Sequence, residues 1–496
     1  MSGSVRSRGL LVTVALLASV VAFDIAERPQ PAEATPVSST PAQYALCGRV
    51  FTDPQAHWPS PPPPSGRSPY AKGNANCQAE EFMQHAEMIA GVNFLESLFP
   101  RFVEFMELEE DFGGDDADCT DASRPARTGD MCSAGLPQAG VSNTRERSDL
   151  HMIRVTDERV PNRNKRWFVF PLSIHGIERA GAEAGTRAAE DLATWAWCEA
   201  AARGANMPLP APLNASLVCD KEGAIPHPIL ETPGNEDSFS AGEALRRSVI
   251  VFIFANPDGW RRGDVENGIR FFQRYNGNGV DLNRDWPTMG FTFRPYTPWS
   301  EPESRSFGRV LKRMRGTWDG GIDLHGQLID RAFSFTLLGA SERDYSKNQR
   351  ILQTVKGAWG DAEKRLTWSS LIKPNEAPPQ PQDPRMYGVQ WGTVWDTIGY
   401  TVTGSLGDWI DSPLGLGADG IDNEMSLSHL SNCGSGTCYL EEPEQLHIDG
   451  NKSLIYSMVN YTLLPEDRTF HAPGKVAYVY NPFVLKRDSK PPAPPG

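Results

Sequence analysis

The chain has 496 residues, with 48 Lys and Arg against 62 Asp and Glu, and a formal net charge of −14. So acidic a chain lacks the clustered positive charge that phosphate contacts require, which argues against nucleic acid as its partner. The length exceeds that of one usual domain and is sufficient for a large buried core.

The N-terminal segment has the pattern of a secretory leader. Arg6 and Arg8 precede an apolar run over 10–23, and Ala32-Glu33-Ala34 follows. The run is shorter than the about 20 residues that a membrane span needs. The pattern predicts a signal peptide over 1–34, cleaved near Ala34, and a secreted mature protein. An uncleaved or lipid-anchored form is the alternative.

The eight cysteines are an even number, which in an exported chain favours disulfides over metal thiolates. They fall into four groups of near neighbours. This grouping predicts the pairs Cys47–Cys77, Cys119–Cys132, Cys198–Cys219 and Cys433–Cys438.

Pro-rich segments flank the central part of the chain. Residues 35–68 are rich in Pro and Ser and predict an extended linker, and residues 466–496 form an extension with a Pro-rich tail. Between them, 69–465 is predicted to be one large domain with insertions. Its first patterned segment, 79–110, has helical apolar spacing with a break at Pro100.

The central segment alternates short apolar runs with helical patterns. Unalternated runs of this kind indicate strands buried on both faces, as in a largely parallel α/β sheet. One helix is predicted over 180–204, and another after Ser300, where Ser300 and Glu303 have the spacing of a capping box and Pro302 sits in the first turn. The predicted strands cover 167–174, 248–255, 320–324 and 332–338.

Three side chains near the ends of predicted strands suggest a metal site. His175 follows the first strand, Glu178 lies in the next turn, and His325 ends the strand that contains Gly-Ile-Asp-Leu-His. Ligands of open α/β sheets bind beyond the carboxyl ends of strands. Two His and one carboxylate leave a position open for water, as in catalytic zinc sites, so these residues are predicted to bind one Zn²⁺ per chain.

Several further motifs appear in a fixed order: H-G-x-E, N-P-D-G at 256–259, G-V-D-L-N-R at 279–284, S-E-P-E at 300–303 and D-L-H-G at 323–326. With these motifs the chain resembles the zinc carboxypeptidase family over roughly residues 70–465. The resemblance implies a mixed, mostly parallel sheet with helices on both faces. It also implies that Asn283 and Arg284 hold the free C-terminal carboxylate of a substrate, a role that suits a guanidinium.

Two further substrate contacts follow from the resemblance. Arg274 is the candidate for polarising the scissile carbonyl, with Arg270 as the alternative. The segment 399–410 resembles the family's flexible tyrosine segment, in which Tyr400 would cap the bound residue. Gly407 falls at the position of the specificity pocket and supplies no charge, but Asp408 and Asp411 lie nearby, so a basic preference stays open.

The general base is a Glu on a late strand in the family. The resemblance places it in the segment 434–445, at Glu441, with Glu442 as the alternative, because neighbouring strand residues point to opposite faces. The preceding segment, 413–436, is interpreted as an insertion. Its Asp-Gly-Ile-Asp-Asn-Glu sequence, 419–424, is typical of a solvated acidic loop or a calcium site.

The predicted function is that of a secreted zinc metallocarboxypeptidase acting on peptides or proteins with a free C terminus. Glu441 would take a proton from the attacking water and return it to the leaving amine. A peptidoglycan stem-peptide hydrolase, or another amide hydrolase with the same zinc site, is the first alternative. A non-catalytic surface-binding relative is the second.

Overall fold

A computed structural model describes the parts of the chain that carry most of the motifs. These are residues 48–52, 83–113, 119–120, 129–137, 145–203, 219, 239–265, 273–287, 297–327, 334–338, 389–393, 402–426, 431–432, 437–438 and 444–463. They all belong to one compact unit, residues 37–496. Within these ranges, none of the helices combines the length and apolar composition needed to cross a bilayer.

The helices and strands are labelled in chain order. The described helices are α1 (His85–Leu98), α2 (Arg179–Ala202), α3 (Ala241–Arg247), α4 (Pro257–Val265), α5 (Pro302–Met314), α6 (Leu406–Asp411) and α7 (Glu444–Leu463). The described strands are β1 (Val103–Glu107), β2 (Leu136–Pro137), β3 (Arg145–Glu146), β4 (His151–Val155), β5 (Arg166–Leu172), β6 (Ser248–Phe254), β7 (Gly320–Gln327), β8 (Ser334–Leu338), β9 (Val389–Thr393), β10 (Asp419–Ser426), β11 (Ser431–Asn432) and β12 (Thr437–Cys438). A π-helical turn (Glu109–Gly113) and two 3₁₀ turns (Asn162–Asn164 and Leu282–Arg284) complete them.

Eight strands form the central sheet in the order β1-β4-β6-β5-β7-β10-β8-β9. The four middle strands, β6, β5, β7 and β10, are mutually parallel. Strands β1 and β4 extend one edge in antiparallel pairing, and β8 joins β10 antiparallel at the other. The carboxyl ends of the middle strands therefore meet at one edge of the sheet.

Both faces of the sheet are buried, as β5 illustrates. Phe168, Phe170 and Leu172 face the apolar cluster that includes residues of α1, α2, α3 and α7. Trp167 and Val169 face the opposite cluster, which includes residues of α5 and α6. The fold is therefore α/β with a mixed, mostly parallel sheet between two layers of helices, and the predicted fold class is confirmed.

The helical interpretation of 79–110 is correct only before Pro100. Helix α1 ends at Leu98, and the chain then forms β1, which pairs with β4 from Val103 to Glu107. The hydrogen bonds that β4 offers at the sheet edge outweigh the local helical spacing. This half of the prediction is wrong.

The predicted capping box at Ser300 is also wrong. Helix α5 begins at Pro302 as expected, but its N-cap is Glu301 and no side chain caps it. Ser300 Oγ instead donates to Asp285 Oδ1 at 2.7 Å, and Glu303 Oε1 accepts from the backbone N–H of Ala134 at 2.8 Å. Both side chains serve tertiary contacts, which a local pattern does not reveal.

The segment 413–436 is not a solvated insertion over its whole length. Residues 419–426 form β10, which lies between β7 and β8 within the sheet. The acidic side chains Asp422 and Glu424 are 7% and 8% exposed. The interpretation of 419–424 as a solvated acidic loop is therefore wrong.

Two of the predicted disulfides, Cys119–Cys132 and Cys198–Cys219, are confirmed. Each of the other two pairs includes a residue outside the described ranges. The signal segment, most of the 35–68 linker and the 466–496 extension also lie outside them.

Replacing Cys198 and Cys219 together with Ala is expected to lower the free energy of unfolding. The bridge spans a sequence separation of 21 residues, for which loop-closure entropy gives about 3 kcal/mol. Urea denaturation without reductant measures the loss. The Cys119/Cys132 double variant, with a separation of 13, serves as the comparison, and its free energy of unfolding should fall by a similar amount. An unchanged urea midpoint in the first variant would contradict the expectation.

Candidate metal centre

The turn after β5 holds His175 and Glu178 close together. The strand ends at Leu172, and Ser173 adopts a φ of 50°, which reverses the chain. The backbone N–H of Glu178 donates to His175 O at 2.9 Å, and Ser173 Oγ donates to Glu178 O at 2.7 Å. A Cβ at Gly176 would lie 2.5 Å from Gln273 O, so the close approach of the 273–276 segment requires glycine here. This turn places Glu178 immediately before α2.

The three candidate ligands converge on one point. His175 Nδ1 lies 2.8 Å from Glu178 Oε1, and His325 Nδ1 lies 2.9 Å from Glu178 Oε2. The two imidazole rings are 4.9 Å apart between centroids. All three side chains are buried, and one potential ligand atom from each lies within 4.8 Å of the others. Residues from β7 and from the turn after β5 thus form one cluster.

A second carboxylate lies behind each histidine. Asp281 Oδ1 is 3.0 Å from His175 Nε2, and Asp323 Oδ2 is 2.9 Å from His325 Nε2. A carboxylate is an acceptor, so it favours a proton on Nε2, and Nδ1 is then the nitrogen through which each imidazole can bind a metal ion. Metal-binding histidines are held in this way in proteins.

The charges of the cluster stabilise one another. Burial raises the pKa of Glu178, but His175 and His325 outweigh it and hold this pKa well below its usual range. Burial likewise opposes protonation of His325, yet Asp323 and neighbouring carboxylates raise its pKa well above the usual value. The carboxylates therefore balance the positive charge that the imidazoles share.

Arg274 lies beside this cluster. Its Nε and Nη2 donate to Asp281 Oδ2 at 3.1 and 2.9 Å, and its Nη1 donates to Glu178 Oε1 at 3.3 Å. Its side chain is 28% exposed. The alternative, Arg270, lies outside the described residues. The structure thus puts Arg274 in contact with one candidate ligand and with the carboxylate behind another.

Asn283 and Arg284 form a 3₁₀ turn next to the cluster. Asn283 Nδ2 is 3.3 Å from His325 Nε2, and Asn283 Oδ1 accepts from the backbone N–H of Leu406 at 2.8 Å. Arg284 Nη1 donates to Asn283 O at 2.7 Å. Burial raises the pKa of Asp281, but the hydrogen bond and charge of His175, followed by the charges of Arg274 and Arg284, hold this pKa well below its usual range. The start of α6 therefore packs directly on Asn283. Tyr400 lies outside the described residues.

The N-P-D-G motif connects the segments of the site. Asn256 Nδ2 donates to Ile174 O and to Arg274 O, both at 3.0 Å, and Asn256 Oδ1 accepts from Gly259 N at 2.9 Å. One buried amide thus fixes the turn that carries His175 against the segment that carries Arg274.

Glu424 is a candidate that the sequence interpretation missed. Strand β10 pairs in parallel with β7, and Glu424 is the partner of His325 in this register. Among the described residues, Glu424 Oε2 has no hydrogen-bond partner. Burial and the Glu178 charge raise the pKa of Glu424 to about 7, against the opposing charges of His325, His175 and Arg274. The predicted bases, Glu441 and Glu442, lie outside the described residues.

A signal for Glu424 is present in the sequence. The tripeptide Gly-Ile-Asp precedes His325 at 321–323 and precedes Glu424 at 420–422, with one residue between in each case. The two copies are aligned in the sheet, with Gly420 opposite Gly321 and Asp422 opposite Asp323. Recognising the second copy as a strand would have directed attention to Glu424.

Residues 237–450 match the model of a family described as zinc carboxypeptidase. The match includes His325 and Glu424 and begins after His175 and Glu178. No curated protein matches the chain.

Among solved structures, carboxypeptidase A from Helicoverpa armigera is 16% identical, with a TM-score of 0.43 over 76% of this chain and 73% of that one. Bovine thrombin-activatable fibrinolysis inhibitor, in complex with tick carboxypeptidase inhibitor, is 12% identical, with a TM-score of 0.42 over 76% of this chain and 96% of that one. A metallo-carboxypeptidase from Burkholderia cenocepacia is 14% identical, with a TM-score of 0.39 over 75% and 67%. Over residues 237–450 the sequence is therefore similar to that of the zinc carboxypeptidases.

Proposed function

We propose that the chain is an exported zinc-dependent metallocarboxypeptidase that hydrolyses the C-terminal peptide bond of peptides or proteins. The observation that carries the proposal is the convergence of His175, Glu178 and His325, with one potential ligand atom from each within 4.8 Å of the others and both Nδ1 atoms in contact with the Glu178 carboxylate. Export is supported by the two described disulfides, which are typical of oxidising compartments.

The donor set fits zinc. Two imidazole nitrogens and one carboxylate are the protein ligands of many catalytic zinc sites, in which a further position stays open. The Asp281 and Asp323 carboxylates accept from the Nε2 atoms, so the Nδ1 atoms are the ones available to a metal ion. Bound there, Zn²⁺ would supply Lewis acidity, which lowers the pKa of a water molecule and polarises a carbonyl group.

Glu424 is our candidate for the general base, in preference to Glu441. It lies opposite His325 in the sheet and has a buried oxygen without a hydrogen-bond partner among the described residues. From this position its carboxylate takes a proton from the attacking water and delivers it to the leaving amine. Glu441 remains the alternative.

Four further residues are assigned to substrate binding. The Arg274 guanidinium, already in contact with Glu178, stabilises negative charge that develops on the scissile carbonyl oxygen. Asn283 and Arg284 bind the substrate's C-terminal carboxylate. Tyr400, in the segment that precedes α6, closes over the bound residue.

The proposal is tested with pairs of peptides that differ only in a free or amidated C terminus. We expect release of the last residue from the free acid alone, and none after chelation, because Arg284 recognises a carboxylate and the reaction needs the ion. Metal content is measured in the same samples.

Each other outcome contradicts the proposal in a different way. Equal cleavage of the amidated peptides would exclude carboxypeptidase specificity. Cleavage restricted to stem peptides with a γ-D-Glu linkage would indicate a peptidoglycan hydrolase. A metal-free protein without turnover would indicate a binding relative.

A further inference from the structure

A second group of potential metal ligands lies at the edge of the central sheet. It consists of Glu107, Asp149 and His151, called here the edge cluster, and one potential ligand atom from each lies within 4.8 Å of the others. Glu107 ends the edge strand β1, and the register places it opposite His151, the first residue of β4. Strand β6 separates β4 from β5 in the sheet. The edge cluster therefore shares no ligand with the candidate metal centre.

The imidazole of His151 holds a polar atom that no neighbouring group satisfies. His151 is 9% exposed, and its ring stacks on Phe105 with the centroids 4.9 Å apart. Its Nδ1 is buried and has no hydrogen-bond partner among the described residues. A buried polar atom without a partner is costly, and a bound ion is one way to satisfy it.

The spacing of the edge cluster suits a shared ion better than direct hydrogen bonds. In the candidate metal centre, both nitrogens of His175 and of His325 contact carboxylates. The carboxylates of the edge cluster lie near His151 without pairing with its Nδ1. Ligand atoms of one zinc ion are each about 2.1 Å from it and so at most about 4.2 Å apart. Small side-chain rotations bring the edge cluster to that spacing.

The edge cluster is accessible to an ion and is connected to a disulfide. Glu107 and Asp149 are only partly buried, so an ion can enter from solvent. Asp149 Oδ1 accepts from the backbone N–H of Cys119 at 2.9 Å, and Asp149 forms an isolated β-bridge with Cys132. An ion in the edge cluster would thus connect β1, β4 and the residues that hold the Cys119–Cys132 disulfide.

We propose that Glu107, Asp149 and His151 bind a divalent transition-metal ion, for which zinc is the probe, at the edge of the sheet. An imidazole nitrogen and carboxylate oxygens are ordinary zinc ligands, whereas calcium and magnesium are bound through oxygen atoms. The ion holds β1 against β4 and stabilises the folded protein, since the three ligands are assembled only there. This inference is independent of the proposed function.

The test measures zinc stoichiometry in the full chain after removal of metal by a chelator. We expect calorimetric titration and elemental analysis to give two equivalents for wild type and one for His151→Phe. The phenyl ring can still stack on Phe105 but offers no ligand atom. Glu107→Gln, which keeps the side-chain shape, should lose the same equivalent. Thermal unfolding verifies that each variant is folded.

His85→Phe is the matched control. His85 is 6% exposed, and its Nε2 also has no hydrogen-bond partner among the described residues. Within those ranges, however, no group of three potential ligands includes it. The variant should keep both equivalents. Loss of zinc from His85→Phe as well as from His151→Phe would overturn the inference, because the effect would then not depend on the edge cluster.

The His175→Ala variant separates this site from the candidate metal centre. It should keep one equivalent, and added zinc should raise its unfolding temperature but not that of His175→Ala/His151→Phe. That result would support the edge cluster even if no peptide were cleaved, and only the proposed function would then fail. A single equivalent in wild type that His175→Ala loses would overturn the inference and leave the proposed function intact. Binding of calcium but not zinc at the His151-dependent site would overturn the assignment to a transition metal.

Discussion

Replacing Glu424 with Gln is expected to lower kcat about 10²- to 10⁴-fold, the usual contribution of a general base, while zinc content stays the same. Gln keeps the shape of the side chain but no longer accepts a proton from water. Glu424 is not among the clustered ligand atoms of His175, Glu178 and His325, so the ion should remain bound. Steady-state kinetics and metal analysis on the same preparation measure both quantities.

Glu441→Gln and Glu442→Gln complete this experiment. If Glu441→Gln loses turnover with zinc bound and Glu424→Gln does not, the base is the residue suggested by the family resemblance. Loss of zinc in Glu424→Gln would contradict the prediction that Glu424 acts as the base without binding the ion.

Replacing His175 with Ala is expected to abolish zinc binding at the candidate metal centre and to reduce turnover to the level of chelated wild type. The variant removes one of two nitrogen donors and leaves Glu178 with one imidazole partner, His325. Zinc titration by calorimetry measures the affinity, and the peptide assay measures turnover.

Asp281→Asn is expected to have a smaller effect on zinc binding than His175→Ala. Asp281 contacts His175 Nε2 without being among the clustered ligands, and loss of such a partner typically weakens metal binding about 10- to 100-fold. A His175→Ala protein that keeps wild-type zinc affinity would contradict the assignment of the ligand. An Asp281→Asn protein as impaired as His175→Ala would show that Asp281 itself binds the ion.

The middle of the sheet was predictable because its strands are covered on both sides. The runs that became β5 and β6 are apolar at nearly every position, which only a strand between two helical layers tolerates. Strand β1 was missed because Val103–Glu107 forms in response to β4, and its own sequence continues the helical spacing of α1. Sequence periodicity reports the burial of a segment and not its hydrogen-bonding partner.

The same distinction applies to the candidate site. His175, Glu178 and His325 follow or end apolar strands, so their position could be inferred. Strand β10, by contrast, carries two buried acidic residues, Asp422 and Glu424, and a sequence with so many acidic residues resembles a solvated loop. Only the Gly-Ile-Asp tripeptide shared with β7 indicates that it is a strand.

The position of Glu178 links the binding of the ion to the stability of helix α2. This residue immediately precedes α2, whose 24 residues are mostly buried, so its carboxylate moves with the first helical turn. If the ion binds only the folded form, its binding free energy adds to the free energy needed to unwind this helix. Because this linkage is reciprocal, a substitution that destabilises α2 far from the cluster would also lower the affinity for the ion.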